Sequence, residues 1–160
     1  MAGTLLLCST RKIGVCKVYS IYKCANTLHK LRVPVVPKML FYVVRILFGG
    51  HVPYTATIGA GTWFGCGALG VVLHPNTVIG KNCVIAQNVT IGGRSSLPEV
   101  PKLGDNVFVG AGATILGPVK IGDNAVIGAN AVVIVDIPPN VTAVGVPARI
   151  VSRQSSAELS

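Results

Sequence analysis

Charged and aromatic residues are scarce in this chain of 160 residues: 12% are charged and 6% are aromatic. About half of the residues (51%) are hydrophobic nonetheless, mainly Val, Ile, Leu and Ala, and 19 are Gly. Helices of an ordinary bundle need a charged outer face, so this composition argues against a bundle. It suits a single domain with a narrow, aliphatic and repetitive core.

Long apolar runs and paired cysteines are also missing. The longest apolar run, residues 39–48, has ten residues and includes Arg45, whereas a transmembrane helix needs about 20. The five cysteines contain no Cys-x-x-Cys pair, so neither a disulfide framework nor a zinc site is predicted. The first ten residues lack the basic start of a signal peptide, and we therefore expect a cytoplasmic protein.

Acidic residues are absent from residues 1–50, which carry eight of the 14 Lys and Arg residues. Such a segment can meet phospholipid, nucleic acid or a polyphosphate ligand, or it can simply be a solvated helix face. The alternation of basic and apolar residues favours the solvated face, a peripheral contact with anionic membrane stays open, and no nucleic-acid partner is predicted. The apolar spacing predicts two helices, within residues 12–31 and 38–48, separated by VPVVP.

What the sequence does contain is a repeat of six residues. Every sixth residue is a branched aliphatic, usually followed by Gly and, four places after the aliphatic, by a small or β-branched residue. The longest run of these aliphatics is Leu103, Val109, Ile115, Ile121, Ile127 and Val133. Three short strands per coil of about 18 residues explain the period, with aliphatic and small side chains inside and Gly relieving the backbone at the corners. The repeat therefore predicts a mainly β fold, a parallel β-helix stabilised by neighbouring coils.

The repeat is broken twice. Three extra residues separate Phe64 from Leu73, in GCGALGVV, and residues 92–102 keep the spacing but lose the pattern. We interpret the second break as an excursion loop, and such loops on rigid scaffolds often carry function. The predicted organisation is a basic helical segment at 1–50, a β-helix at 51–152 with its loop at 92–102, and a tail at 153–160.

Three segments carry a family resemblance: GVVLHPNTVIGKNCVIAQNVTIGG (70–93), VPKLGDNVFVGAGATILGPVKIGDNAVIGANAVV (100–133) and IPPNVTAVGVPARIV (137–151). They resemble the hexapeptide acyltransferases, and more narrowly the short, polysaccharide-associated members of the serine acetyltransferase-like branch. The resemblance implies a left-handed β-helix and an acetyl-CoA-dependent O-acetyltransferase. It also implies a homotrimer with active sites between adjacent prisms, each closed by a protruding loop.

The family uses a histidine as general base, and His74 matches a histidine of its short members. The better-known family histidine falls near Cys66, its acidic neighbour near Gly65, and a loop histidine near Leu97 or Val100. We predict His74 as the catalytic base, because imidazole accepts a hydroxyl proton near neutral pH. A turn residue is the alternative for His74, and Glu99 is a weak candidate for its carboxylate partner.

The resemblance also suggests where acetyl-CoA and the acceptor bind. Acetyl-CoA is assigned to one groove along Gly- and Ala-rich corners and to two arginines that suit its phosphates: Gly92, Gly93, Gly110, Ala111, Gly128, Ala129, Arg149 and Arg153. Cys66 and Arg94 are assigned to substrate binding, with a small residue in a bend as the alternative for Cys66 and surface charge as the alternative for the two C-terminal arginines. No metal is predicted, because a zinc hydratase on this fold needs three converging histidines.

Three functions stay open on the sequence. The first is acetyl transfer from acetyl-CoA to a hydroxyl of a small-molecule acceptor, either serine or a sugar. The second is a hexapeptide scaffold that binds CoA or a protein partner without turnover. The third is a membrane-apposed module in which residues 1–50 bind anionic lipid, and it is compatible with the first.

Overall fold

The computed structural model describes residues 17–31, 35–94 and 99–153, which form two helices followed by three sheets. Helix α1 spans Lys17–Lys30 and α2 spans Val36–Phe48, close to the two predicted segments. Pro37 lies in the first turn of α2, where a backbone N–H has no helical partner to lose. Gly49 ends α2 in the left-handed conformation, and its N–H donates to the carbonyl oxygen of Arg45.

The strands are short, and successive strands belong to successive sheets. Sheet 1 contains β1 (Thr57–Ile58), β4 (Val78–Ile79), β7 (Lys102–Leu103) and β10 (Lys120–Ile121). Sheet 2 contains β2 (Trp63–Phe64), β5 (Val84–Ile85), β8 (Phe108–Val109), β11 (Val126–Ile127), β13 (Val141–Val144) and β14 (Arg149–Arg153). Sheet 3 contains β3 (Val72–Leu73), β6 (Thr90–Gly92), β9 (Thr114–Leu116) and β12 (Val132–Val133). All pairings are parallel except that of β14 with β13, so the predicted parallel β-helix is confirmed.

The strand register also confirms the predicted coil length. Leu103 pairs with Ile121 and Ile115 with Val133, in each case 18 residues apart. The inward side chains, all aliphatic except Phe64, form three columns inside the prism, none more than 8% exposed: Ile58, Ile79, Leu103 and Ile121; Phe64, Ile85, Val109 and Ile127; Leu73, Ile91, Ile115 and Val133. Each side chain therefore packs on its counterpart one coil away, which couples neighbouring coils.

The position four places after each aliphatic is buried as predicted, but its occupant is not always apolar. Thr77 has no exposed surface, and its hydroxyl has no hydrogen-bond partner among the described residues. Gly follows many of these aliphatic residues, but for a different reason from the one predicted. At Gly59 and Gly80, a Cβ would collide with the carbonyl of the coil below, so closeness between coils selects Gly there.

The left-handed conformation occurs at a different corner position, which is held by Gly61, Gly70 and Gly112 on some coils and by Asn on the others. Six asparagines have φ between 53° and 58°: Asn82, Asn88, Asn106, Asn124, Asn130 and Asn140. Asn tolerates this conformation better than most residues do. The Asn106 amide donates to Oδ1 of Asn124 at 3.2 Å, and the Asn124 amide donates to Oδ1 of Asn140 at 2.9 Å. These contacts link one corner of the prism from coil to coil.

The two helices cover the first coil. The Tyr22 hydroxyl donates to the carbonyl oxygen of Ala56 and accepts from the Ile58 N–H at 3.2 Å, and burial raises the pKa of Tyr22. The Asn26 amide donates to the carbonyl oxygen of Tyr54 at 2.6 Å. Within residues 17–31, 35–94 and 99–153, no helix combines the length and apolarity needed to cross a bilayer.

Candidate functional site

His74 and the excursion loop lie at the same corner of the prism, between sheets 3 and 1. His74 follows β3, and the loop follows β6, the next strand of sheet 3. The His74 N–H donates to the carbonyl oxygen of Ile91 at 2.8 Å, so His74 lies directly beside the start of the loop. The half-exposed imidazole is thus placed where the loop leaves the prism.

The His74 ring has a defined hydrogen-bond partner. Its Nδ1 lies 3.2 Å from the backbone nitrogen of Asn76, whose N–H can only donate. The neutral ring therefore carries its proton on Nε2 in this arrangement. Nε2 can then donate a hydrogen bond, but it accepts a proton only after Nδ1 is released from Asn76 and takes the ring proton. The exposed Glu99 makes no hydrogen bond to this ring in the described structure.

The base of the loop is closed by backbone and side-chain contacts. The Gly117 N–H donates to the carbonyl oxygen of Gly92 at 3.1 Å. The exposed Arg94 side chain lies over Gly117, where a Cβ would come within 3.5 Å of Arg94 Cβ. Val100 is buried and lies near Gly93, so one of the two positions aligned with the family's loop histidine is apolar. The other, Leu97, lies outside the described residues.

The three extra residues of the first coil form a tight turn at the corner between sheets 2 and 3. This turn spans Gly65–Ala68, and its residues Cys66, Gly67 and Ala68 are left-handed, with φ of 48°, 67° and 61°. The exposed Sγ of Cys66 lies 4.0 Å from Oε1 of Gln87, on the coil below. Cys66 is thus separated from His74 by the width of sheet 3, and within one chain these two residues do not form one site.

The residues predicted to hold acetyl-CoA divide between these two corners. Gly92 and Gly93 lie at the loop corner. Gly110, Ala111, Gly128 and Ala129 lie at the Cys66 corner, on successive coils below it. Arg149 is exposed at the start of β14, next to Ala148, whose N–H donates to the carbonyl oxygen of Val132. Arg149 therefore continues the Cys66 corner toward the last coil. Arg153 ends β14, and its side chain lies outside the described part of the chain.

Acidic side chains at the corners have a structural use that the sequence analysis missed. Oδ1 of Asp105 accepts from the Lys81 N–H, Oδ1 of Asp123 from the Asp105 N–H and Oδ1 of Asp136 from the Lys120 N–H, each at 2.7 Å. The signal was present as the triplet Gly-Asp-Asn, which recurs after 18 residues at 104–106 and 122–124. These three carboxylates therefore join neighbouring coils through Oδ1.

His51 lies in the linker between α2 and the first coil and makes specific contacts. Its backbone bridges to Val72 in sheet 3, and its Nδ1 lies 3.2 Å from Nη1 of Arg45. Burial, and secondly the charge of Arg45, lower the pKa of His51. In the described ranges, no three His, Cys, Asp or Glu side chains lie close enough together to hold a metal ion.

Comparisons with known proteins agree with this architecture. The family model "Bacterial transferase hexapeptide (six repeats)" matches residues 55–93 and 101–134, on either side of the loop. A serine acetyltransferase from Synechococcus elongatus is 40% identical over 134 residues, which is 82% of this chain and 54% of that protein. This chain therefore spans about half the length of that relative.

Two further proteins extend the comparison. A serine acetyltransferase from Helicobacter pylori is 39% identical over 134 residues, covering 82% of this chain and 78% of that protein. The crystal structure of a Brucella abortus serine acetyltransferase in complex with coenzyme A superposes with a TM-score of 0.80 at 32% identity, covering 86% of this chain and 55% of that one. With its hexapeptide coils, its excursion loop and these relatives, the chain belongs to the serine acetyltransferase family of hexapeptide-repeat transferases.

Proposed function

We propose that this protein transfers an acetyl group from acetyl-CoA to the hydroxyl of L-serine. The observation that carries the proposal is the 39% identity to the Helicobacter pylori serine acetyltransferase, because the match covers 78% of that protein. The coenzyme A complex of the Brucella abortus relative, on the same fold, supports the donor. A sugar hydroxyl is the other acceptor that the same chemistry would accommodate.

The Cys66 corner suits the donor. At Gly110 and Gly128 a Cβ would meet the next coil at 2.6 Å, so glycine lets successive coils stack tightly, and an extended pantetheine arm can lie along the resulting corner of small residues. The exposed Arg149 at the end of this column is a partner for the nucleotide phosphates. At the loop corner, Arg94 is exposed and can pair with the carboxylate of serine.

His74 is the proposed base. The serine hydroxyl oxygen attacks the thioester carbonyl, its proton passes to the imidazole, and the CoA thiolate leaves and takes that proton. Backbone N–H groups are the natural donors to the oxyanion that forms in between. For His74 to act as the base, its Nδ1 must first lose the hydrogen bond from the Asn76 N–H and take up the ring proton from Nε2.

We further propose a homotrimer, because the two corners meet only across a boundary between chains. The outer face of sheet 2 supports this assembly. Trp63, Val84, Phe108 and Val126 lie in register there and form an apolar ladder. The outer face of sheet 1 carries Thr57, Lys102 and Lys120 instead. An apolar face that recurs on four coils is suited to packing against another copy.

Two observations favour a second candidate, a scaffold that binds CoA without turnover. The two positions of the family's histidines that the structure describes hold Cys66 and Val100, and the Nδ1 of His74 is occupied by Asn76. In this reading His74 is a turn residue and the CoA corner is retained.

A single assay separates these functions. Thiol release from acetyl-CoA is measured with L-serine, with a panel of sugars and without acceptor, and CoA binding is measured by calorimetry. Serine-dependent release supports the proposal, sugar-dependent release changes the acceptor, and CoA binding without release supports the scaffold. Arg149→Gln should weaken CoA binding about tenfold, whereas Lys120→Gln, on the outer face of sheet 1, should leave it unchanged.

A further inference from the structure

One face of α2 carries large apolar side chains that no described residue covers. Met39, Tyr42 and Ile46 follow one another at intervals of three and four residues, so they share a face of the helix. Their exposed fractions are 61%, 57% and 79%. Val35 and Val43 extend the same stripe. A contiguous stripe of this kind differs from isolated surface hydrophobics and marks an interaction surface.

The opposite side of α2 packs against the rest of the protein. Val44 is buried in the core together with residues of α1 and of the first coil. Arg45 lies between the buried and the exposed faces and contacts His51. The orientation of α2 on the prism is therefore set by its inner face, and the apolar stripe points away from the prism.

The charge around this stripe has one sign. Lys38 and Arg45 flank it on α2, and Lys23 and Lys30 are exposed on the neighbouring helix α1. No acidic residue precedes Glu99 anywhere in the chain. Asp105 follows the third strand of sheet 1, and its carboxylate accepts from the Lys81 N–H on the second coil. The two helices and the first coil therefore carry no acidic residue.

We propose that α2 is a membrane-surface helix, with its apolar stripe in the headgroup region of an anionic bilayer and the prism held above it. An apolar stripe flanked by basic residues is the pattern of helices that lie in the plane of the interface. With 13 residues, α2 is about 20 Å long and lies along the surface. A second copy packed through the same face of α2 fits poorly, because its own Lys38 and Arg45 would be brought close to those of the first copy, with no acidic residue in α2 to pair with them.

Vesicle flotation of the full chain tests the proposal. Vesicles of phosphatidylserine with phosphatidylcholine are compared with vesicles of phosphatidylcholine alone. The test variant is Met39→Glu with Ile46→Glu, and the control is Val135→Glu with Val151→Glu, whose original residues are 54% and 60% exposed elsewhere on the chain. Both variants replace two exposed apolar residues by glutamate, so they have the same net charge. Circular dichroism confirms that each is folded, and Met39→Ser with Ile46→Ser replaces the test variant if it is not.

We expect wild type and control to float with the anionic vesicles only, and the α2 variant to bind at least about tenfold more weakly. Lys38→Gln should weaken binding about fivefold, whereas Lys120→Gln should not. Absence of wild-type binding, or an equal loss in the control, overturns the proposal. A smaller molar mass for the α2 variant than for wild type in light scattering, without vesicle binding by either, would assign the stripe to self-association and overturn it as well.

Discussion

The contact between Asn76 and His74 leads to a prediction that separates a catalytic from a structural use of this histidine. Asn places its Oδ1 three bonds from Cα, as His places its Nδ1. The variant His74→Asn can therefore keep the acceptor for the Asn76 N–H while losing the imidazole. His74→Ala loses both. The two variants differ in the corner hydrogen bond and share the loss of a base.

The structure sets the size of each effect. The contact is a single hydrogen bond of 3.2 Å at a half-exposed corner, so its loss in His74→Ala should cost about 0.5–1 kcal/mol of unfolding free energy. His74→Asn should stay within about 0.5 kcal/mol of wild type. Loss of a general base should lower kcat about 10²–10⁴-fold in both variants.

The assays are urea unfolding for stability and acetyl-CoA thiol release with L-serine for activity. If His74→Asn keeps kcat within a few-fold of wild type, His74 is not the base and its role is confined to the turn. If His74→Asn is as unstable as His74→Ala, the Nδ1 contact does not hold the corner, and the tautomer argument built on it is refuted.

Three further predictions follow from other contacts. Thr77→Val removes a buried, unpaired hydroxyl and should stabilise the fold by about 1 kcal/mol in urea unfolding; a loss of stability would mean that the hydroxyl has a partner. Phe108→Glu should break the proposed trimer in light scattering, whereas Thr57→Glu, on sheet 1, should not; equal molar masses for the two variants contradict the proposed sheet 2 interface. The lowered pKa of His51 means that the unfolded chain binds the proton more readily than the folded chain. Stability should therefore fall as the pH drops below about 6.5 toward the folded pKa, and His51→Gln should flatten that slope; an unchanged slope would assign it to other groups.

The fold could be predicted because a single repeat fixes which side chain points inward at almost every position. Leu103 and Ile115 point inward as predicted, and the predicted break in the repeat after Phe64 is the turn at Gly65–Ala68. The corners were predicted less well. The six-residue period shows which side chains are buried. The choice between Gly and Asn at a corner depends instead on φ and on the distance to the next coil, which only the coordinates give.

The residues of the candidate site could be predicted, but their arrangement could not. Sequence placed His74 at a corner near the loop, and the backbone bond to Ile91 shows the two side by side. It could not show that Asn76 occupies Nδ1, because that depends on the rotamer of the ring. It also placed Gly92 and Gly110 along one groove, whereas three strands per coil put them at two different corners.

The closed base of the excursion loop has a consequence for how this protein could change. Gly92 pairs with Leu116 and bonds to Gly117, and after the loop Lys102 rejoins sheet 1 in register with Val78. The wall of the prism is therefore continuous whether the excursion is long or short, and lengthening a flexible loop costs little. Loops of different length and sequence could be exchanged at this corner without repacking the interior. The loop can thus diversify among relatives while the scaffold stays the same.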